Sequence, residues 1–148
     1  NFMPNMNFTY SSIEAHPLKV SEIKQLNYDK NLNDNDNKFH FIHQSMWNSP
    51  VKLSKNFTLI KNNSALQNFN IEINTDIIYF DPFCHRVQPE MWTKKIINPI
   101  INSMNKFSVF VTFSSMNILF NLLKGLKMDV EKIPGPNKKK KMIRAVKY

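Results

Sequence analysis

The residues best suited to chemistry lie in one stretch, residues 75–93, TDIIYFDPFCHRVQPEMWT. Ile77, Ile78, Tyr79 and Phe80 read as a buried strand that runs into Asp81, and Pro82 then fixes a turn beside Phe83. In an α/β sheet, ligands bind in the crevice beyond the carboxyl ends of the strands. A carboxylate at that point can accept a proton or steady a positive charge as it develops. It can equally do no more than cap the turn that follows. Phe83 and Trp92 each have two readings, a stacking surface for a flat ligand or a place in the core. Cys84 has no evident paired base and is taken as incidental. His40 and His43 have metal-ligand spacing on a helix, but no third ligand lies nearby, so no metal is expected.

The elements that must position Asp81 follow from periodicity. Strands are expected over residues 7–12, 57–60, 77–80, 107–113, 128–133 and 141–147. Helices are expected over 20–26, 39–46, 65–69, 93–104 and 116–124. Ile96, Ile97, Ile100, Ile101 and Met104 give the fourth of these its apolar stripe. Ser114 and Ser115 are expected to cap the fifth, and Gly125 to stop it in a left-handed conformation. Residues 27–38, NYDKNLNDNDNK, read as a polar loop. Alternating strands and helices predict an α/β fold with a mainly parallel sheet and helices on both faces. The last two strands, joined at Pro134-Gly135-Pro136, predict an antiparallel edge hairpin.

The 148 residues are read as one domain, with 42% apolar and 12% aromatic residues to fill a core. No apolar run approaches the ~20 residues that span a bilayer. No secretory pattern opens the chain, and its one cysteine excludes an internal disulfide, so the cytoplasm is the expected compartment. Only Gly125 and Gly135 are glycines, which rules out a Gly-rich phosphate loop in this stretch. The net charge is +9, and nine Lys or Arg fall between Lys124 and Tyr148 against Asp129 and Glu131. That concentration suits a polyanion as well as it suits a solvated surface.

Several of these residues together form a pattern. Asp76-x-x-x-Phe80-Asp81-Pro82-Phe83, Pro89-Glu90-x-Trp92-Thr93, Thr112-x-Ser114-Ser115 and Pro134-Gly135-Pro136 with Met142-Ile143-Arg144-Ala145 occur in this order. The chain resembles the MnmC-type methyltransferase domain, and Tyr10-Ser11-x-x-Glu14-x-x-Pro17-Leu18 is similar to that family's second strand. The resemblance implies a Rossmann-like class I methyltransferase sheet that uses S-adenosyl-L-methionine. It implies methylation of the aminomethyl group on the wobble uridine of tRNA, to give 5-methylaminomethyl-(2-thio)uridine. Glu14 would accept the ribose hydroxyls of the cofactor. Asn63 and Ser64 stand where the family usually has Gly-Asp-Ala at the adenine, and Asn63 keeps an acceptor oxygen without the charge.

By the same resemblance Asp81 is the catalytic carboxylate, with Pro82, Phe83 and Trp92 against the target base. Lys139 and Lys140, within the run 138–141, together with Arg144, would meet tRNA phosphates. Asp-Pro-Phe is also similar to the Asp-Pro-Pro-Tyr loop of amino-group DNA methyltransferases. The family's first strand and Gly-rich loop have no counterpart, and the chain opens on Asn1, so an N-terminally incomplete domain is expected. Some relatives carry a C-terminal flavin-dependent oxidase, and none is expected in this chain. Two other readings stay open: a non-catalytic RNA-binding module on a truncated methyltransferase fold, and an amino methyltransferase acting on DNA or protein.

Overall fold

The computed structural model describes residues 6–31, 37–71, 74–136 and 141–148. The chain divides into two compact units, Asn1–Phe69 and Asn70–Tyr148, each built on its own sheet.

In the first unit, β1 (Phe8–Glu14) is followed by α1 (Val20–Ile23), α2 (Tyr28–Asn31) and α3 (Lys38–Gln44). The hairpin of β2 (Pro50–Ser54) and β3 (Phe57–Asn63) completes it, and the sheet order is β1-β3-β2. β1 and β3 run parallel in unbroken register from Phe8–Phe57 to Glu14–Asn63. β2 is not among the strands expected from the sequence. Its burial nevertheless alternates with the strand period, Val51 and Leu53 half-buried between exposed Pro50, Lys52 and Ser54. Proline is tolerated at the first residue of an edge strand, and Pro50 opens this one. The span 27–38, expected to be a loop, carries the single helical turn α2; residues 32–36 lie outside the described residues.

In the second unit, β4 (Thr75–Tyr79) leads through the Pro89–Trp92 3-10 turn into α4 (Lys94–Ser103) and β5 (Met104–Thr112). α5 (Asn117–Gly125), β6 (Met128–Ile133) and β7 (Met142–Lys147) follow, with sheet order β4-β5-β7-β6. β4 and β5 are parallel, and β7 lies antiparallel to both β5 and β6. The expected antiparallel hairpin is there, with β7 inserted between β5 and β6. Both sheets are therefore mixed within an α/β architecture. Ile97, Phe110, Leu119, Leu123 and Ile143 are fully buried and form the centre of this unit's core.

Two capping expectations are corrected. Gly125 is the last helical residue of α5, and Lys127, at φ 61°, takes the left-handed position. The cap residue at the start of α5 is Met116 in extended conformation; Ser114 serves it instead, its Oγ accepting the Met116 N–H at 3.3 Å.

Candidate active site

Parallel pairing brings the carboxyl ends of β1 and β3 side by side, and three of the expected cofactor residues stand there. Glu14 is in register with Asn63, and the Ser64 N–H extends the ladder to the Glu14 carbonyl at 3.2 Å. Glu14 Oε1 accepts the His16 N–H at 2.7 Å, which fixes the carboxylate over the turn leaving β1. A carboxylate has about four acceptor positions, so acceptor capacity remains for a ligand. Asn62 locks the two strand ends together, its Nδ2 donating to Ser11 Oγ at 2.8 Å and to the Ser12 carbonyl at 3.0 Å.

Asn48 completes the frame from outside the strands. Its N–H donates to the Lys61 carbonyl at 2.6 Å and its Oδ1 accepts the Asn63 N–H at 3.0 Å. The turn requires φ 56° at Asn48, a conformation asparagine adopts more readily than most side chains. Asn48 is not among the residues singled out by sequence, although an Asn after an aromatic and ahead of Pro50 is a turn signal. With Glu14, Asn63 and Ser64 this edge offers a carboxylate, an amide and a hydroxyl. Such a set fits the hydroxyl and amino donors of an adenosine.

Beneath that edge lies Lys61, only 6% exposed. Its Nζ donates to the carbonyls of Ile42 and His43 at 2.8 and 2.9 Å and stands 4.6 Å from the Trp47 ring centre. It thus neutralises the carbonyl end of α3. Burial lowers the Lys61 pKa from its ordinary value. Burial first, then the charge of Lys61, then His40, lowers that of His43.

In the second unit, β4 delivers Asp81 to the carboxyl edge of its sheet. The parallel pairing ends at Tyr79–Val111, and the Phe80 N–H donates to the Val111 carbonyl at 2.8 Å. Asp81 follows, exposed, and Phe113 is the first residue past the end of the neighbouring β5. The sequence places Phe113 in a buried strand, yet it is 46% exposed at this edge. The signal that marks it out is its place on the alternate face from buried Phe110 and Thr112.

The loop after Asp81 is held by its own hydrogen bonds. Val87 and Gln88 N–H groups both donate to the Cys84 carbonyl, at 2.8 and 3.0 Å. Phe83 is 70% exposed. Its N–H donates to Gln88 Oε1 at 3.2 Å, and its carbonyl accepts the Trp92 indole N–H at 3.0 Å. Trp92 therefore does not offer its face to a base. It is 5% exposed and packs edge-on against Phe80, the ring centres 5.4 Å apart. A buried indole needs a partner for its N–H, and the Phe83 carbonyl supplies it. Pro82 is half-buried between Asp81 and Phe83.

The remaining expected contacts divide. Lys139 and Lys140 lie outside the described residues. Arg144 is engaged across the β6–β7 ladder, its Nε donating to Glu131 Oε1 at 2.7 Å, so its charge is already matched by an acid. Among the described residues no three His, Cys, Asp or Glu side chains gather as metal ligands. No described helix is long and apolar enough to cross a membrane.

Comparison with known proteins agrees with this architecture. Residues 23–148 match the S-adenosyl-L-methionine-dependent methyltransferase family. No curated protein matches the chain. Among solved structures, MnmC2 from Aquifex aeolicus superposes with a TM-score of 0.71 at 18% identity, over 97% of this chain and 44% of that one. The chain thus spans under half the length of that protein, and the likeness is one of fold. An O-methyltransferase from Thermotoga maritima aligns with a TM-score of 0.47 at 13% identity, over 93% of this chain and 49% of that one. The second sheet, with its acid beyond β4, and the family match over 23–148 lead to one conclusion: the chain belongs to the S-adenosyl-L-methionine-dependent methyltransferases and has an MnmC-like fold.

Proposed function

We propose that the protein methylates an amine, the aminomethyl group on the wobble uridine of tRNA, with S-adenosyl-L-methionine as donor. The observation that carries this reading is Asp81, an exposed carboxylate at the carboxyl end of β4, two residues before an exposed aromatic. When bound, S-adenosyl-L-methionine supplies an electrophilic methyl group on a sulfonium centre. Glu14 holds the ribose hydroxyls, and Asn63 with Ser64 meets the adenine edge.

Asp81 acts on the acceptor. An amine attacks only through a free lone pair and becomes cationic as the new C–N bond forms, while the methyl–sulfur bond would break and the sulfur leave as a neutral thioether. A carboxylate oxygen of Asp81 accepts an amine N–H, which orients the lone pair, and then stabilises the cation and takes its proton. Phe83 stacks on the uracil ring, and Phe113 bounds the same edge. The C-terminal lysines, Lys139 and Lys140 among them, meet phosphates and set the register of the RNA without reading its sequence.

The test uses the full-length protein, labelled S-adenosyl-L-methionine, and tRNA carrying 5-aminomethyl-2-thiouridine. Asp81→Asn is expected to lower kcat by roughly 10²–10⁴-fold while cofactor affinity stays unchanged. Undiminished turnover in this variant removes Asp81 from the mechanism. Label passing to DNA or protein and not to tRNA overturns the substrate, and tRNA retention without cofactor binding overturns the enzymatic reading.

A further inference from the structure

We infer that Gln88 is a positioning residue for substrate, acting through the backbone of Phe83. The inference rests on the functional reading above for its consequence, and on geometry alone for its mechanism.

Phe83 is a large apolar side chain left 70% exposed. It is nevertheless not at the end of a free loop. Both polar groups of its backbone are engaged by side chains from farther along the chain, the N–H by Gln88 Oε1 and the carbonyl by Trp92 Nε1. Two anchors on one residue leave its φ and ψ little freedom, so the Cα–Cβ bond that carries the ring is offered in a fixed direction. Each anchor is itself fixed. Trp92 is wedged against Phe80, whose ring lies 5.6 Å from that of buried Phe110. Gln88 is tied back by its own N–H to the Cys84 carbonyl at 3.0 Å. The core thus transmits its rigidity to one exposed aromatic, and the residue so presented lies two positions after Asp81.

Anchoring the backbone beneath an exposed ring gains little for folding, because the ring buries little. It does lower the ordering cost when a flat ligand stacks on it. Gln88 is the weaker of the two anchors, half-buried and outside the core, so its loss changes the presentation of Phe83 without collapsing the fold.

The experiment compares Gln88→Ala and Gln88→Glu with wild type in the full-length protein, with thermal unfolding as the control for folding. Hydrogen exchange of the Phe83 backbone N–H, which donates to Gln88 Oε1, is followed by NMR and reports the clamp without reference to activity. Gln88→Ala is expected to speed that exchange by about five- to tenfold, the worth of one hydrogen bond, and Gln88→Glu, which keeps an acceptor at the same reach, to restore protection. In the same variants the KM for aminomethyl-uridine tRNA rises by about five- to tenfold in Gln88→Ala. The dissociation constant for S-adenosyl-L-methionine does not change. Unaltered exchange of the Phe83 N–H in Gln88→Ala overturns the clamp. Faster exchange with an unaltered KM overturns its role in positioning. A wild-type protein that binds cofactor but leaves tRNA unmethylated defeats the functional reading instead, while the exchange result still decides the clamp.

Discussion

Glu14 illustrates how much a single side chain at a strand end is asked to do. Its Oε1 already accepts the His16 N–H, which holds the carboxylate in place before any ligand arrives. Glu14→Gln keeps that acceptor and removes the charge, so folding stability is expected to change by no more than about 0.5 kcal/mol, as for most exposed substitutions. A hydrogen bond to a charged group is worth more than one to a neutral group. Calorimetry should therefore show S-adenosyl-L-methionine binding weakened by about tenfold. Equal affinity in wild type and Glu14→Gln would remove the carboxylate from the proposed cofactor site. Asn48 makes the complementary case, since it touches the proposed cofactor site only through the Asn63 backbone, and its left-handed φ suits asparagine.

At the scale of elements, two lysines solve the same problem in the two units. The last carbonyls of a helix have no intrahelical partner. Lys61, from β3, takes two of them at the end of α3. Lys147, from β7, donates to Ile101, Asn102 and Met104 carbonyls at the end of α4. Each ties a helix end to a strand, and each places a cation at the negative end of the helix dipole. Lys61→Met keeps the aliphatic stem and deletes the donors, so it should cost about 1–3 kcal/mol in urea-induced unfolding. A cost below about 0.5 kcal/mol would mean that water serves these carbonyls equally well.

His43 stands within the same anchor, its ring 4.6 Å from Phe39, and its folded-state pKa is depressed. The unfolded chain therefore binds a proton at this ring more readily than the native one does. Stability from this source is full above the ordinary histidine value and falls as pH drops through it toward the lower native one. His43→Gln should reduce the loss of stability between about pH 7.5 and about pH 5.5. An unchanged pH dependence would show that the ring titrates alike in both states.

For the whole molecule, the +9 charge is the property that bears on the proposed polyanionic partner. Lysines that neutralise phosphates release counterions, so under the proposed function log affinity for tRNA should fall linearly with log salt. Lys139→Ala combined with Lys140→Ala should flatten that slope by about two, one for each phosphate no longer neutralised. A slope equal to that of wild type would leave both lysines as ordinary solvated charges.

Residue order alone carries the α/β class, most of the strands and helices, and the location of Asp81 at the end of a strand. These follow from local rules: apolar period, turn residues and the punctuation of proline. The terminal hairpin is legible in the same way, because Pro134-Gly135-Pro136 leaves no room for a crossover helix between β6 and β7. Whether an aromatic is core or contact is beyond such rules. Phe83, Trp92 and Phe113 look alike in composition, but burial depends on neighbours distant in the chain. Tertiary packing puts Trp92 against Phe80 and leaves Phe83 and Phe113 at the sheet edge. The β2 strand and the Asn48 bracket around Asn63 escape the local pattern for a related reason, since each is stabilised by pairing across a turn. The carboxylate is legible from its own strand; the clamp that fixes the aromatic beside it exists only once Gln88 and Trp92 have folded back onto Phe83.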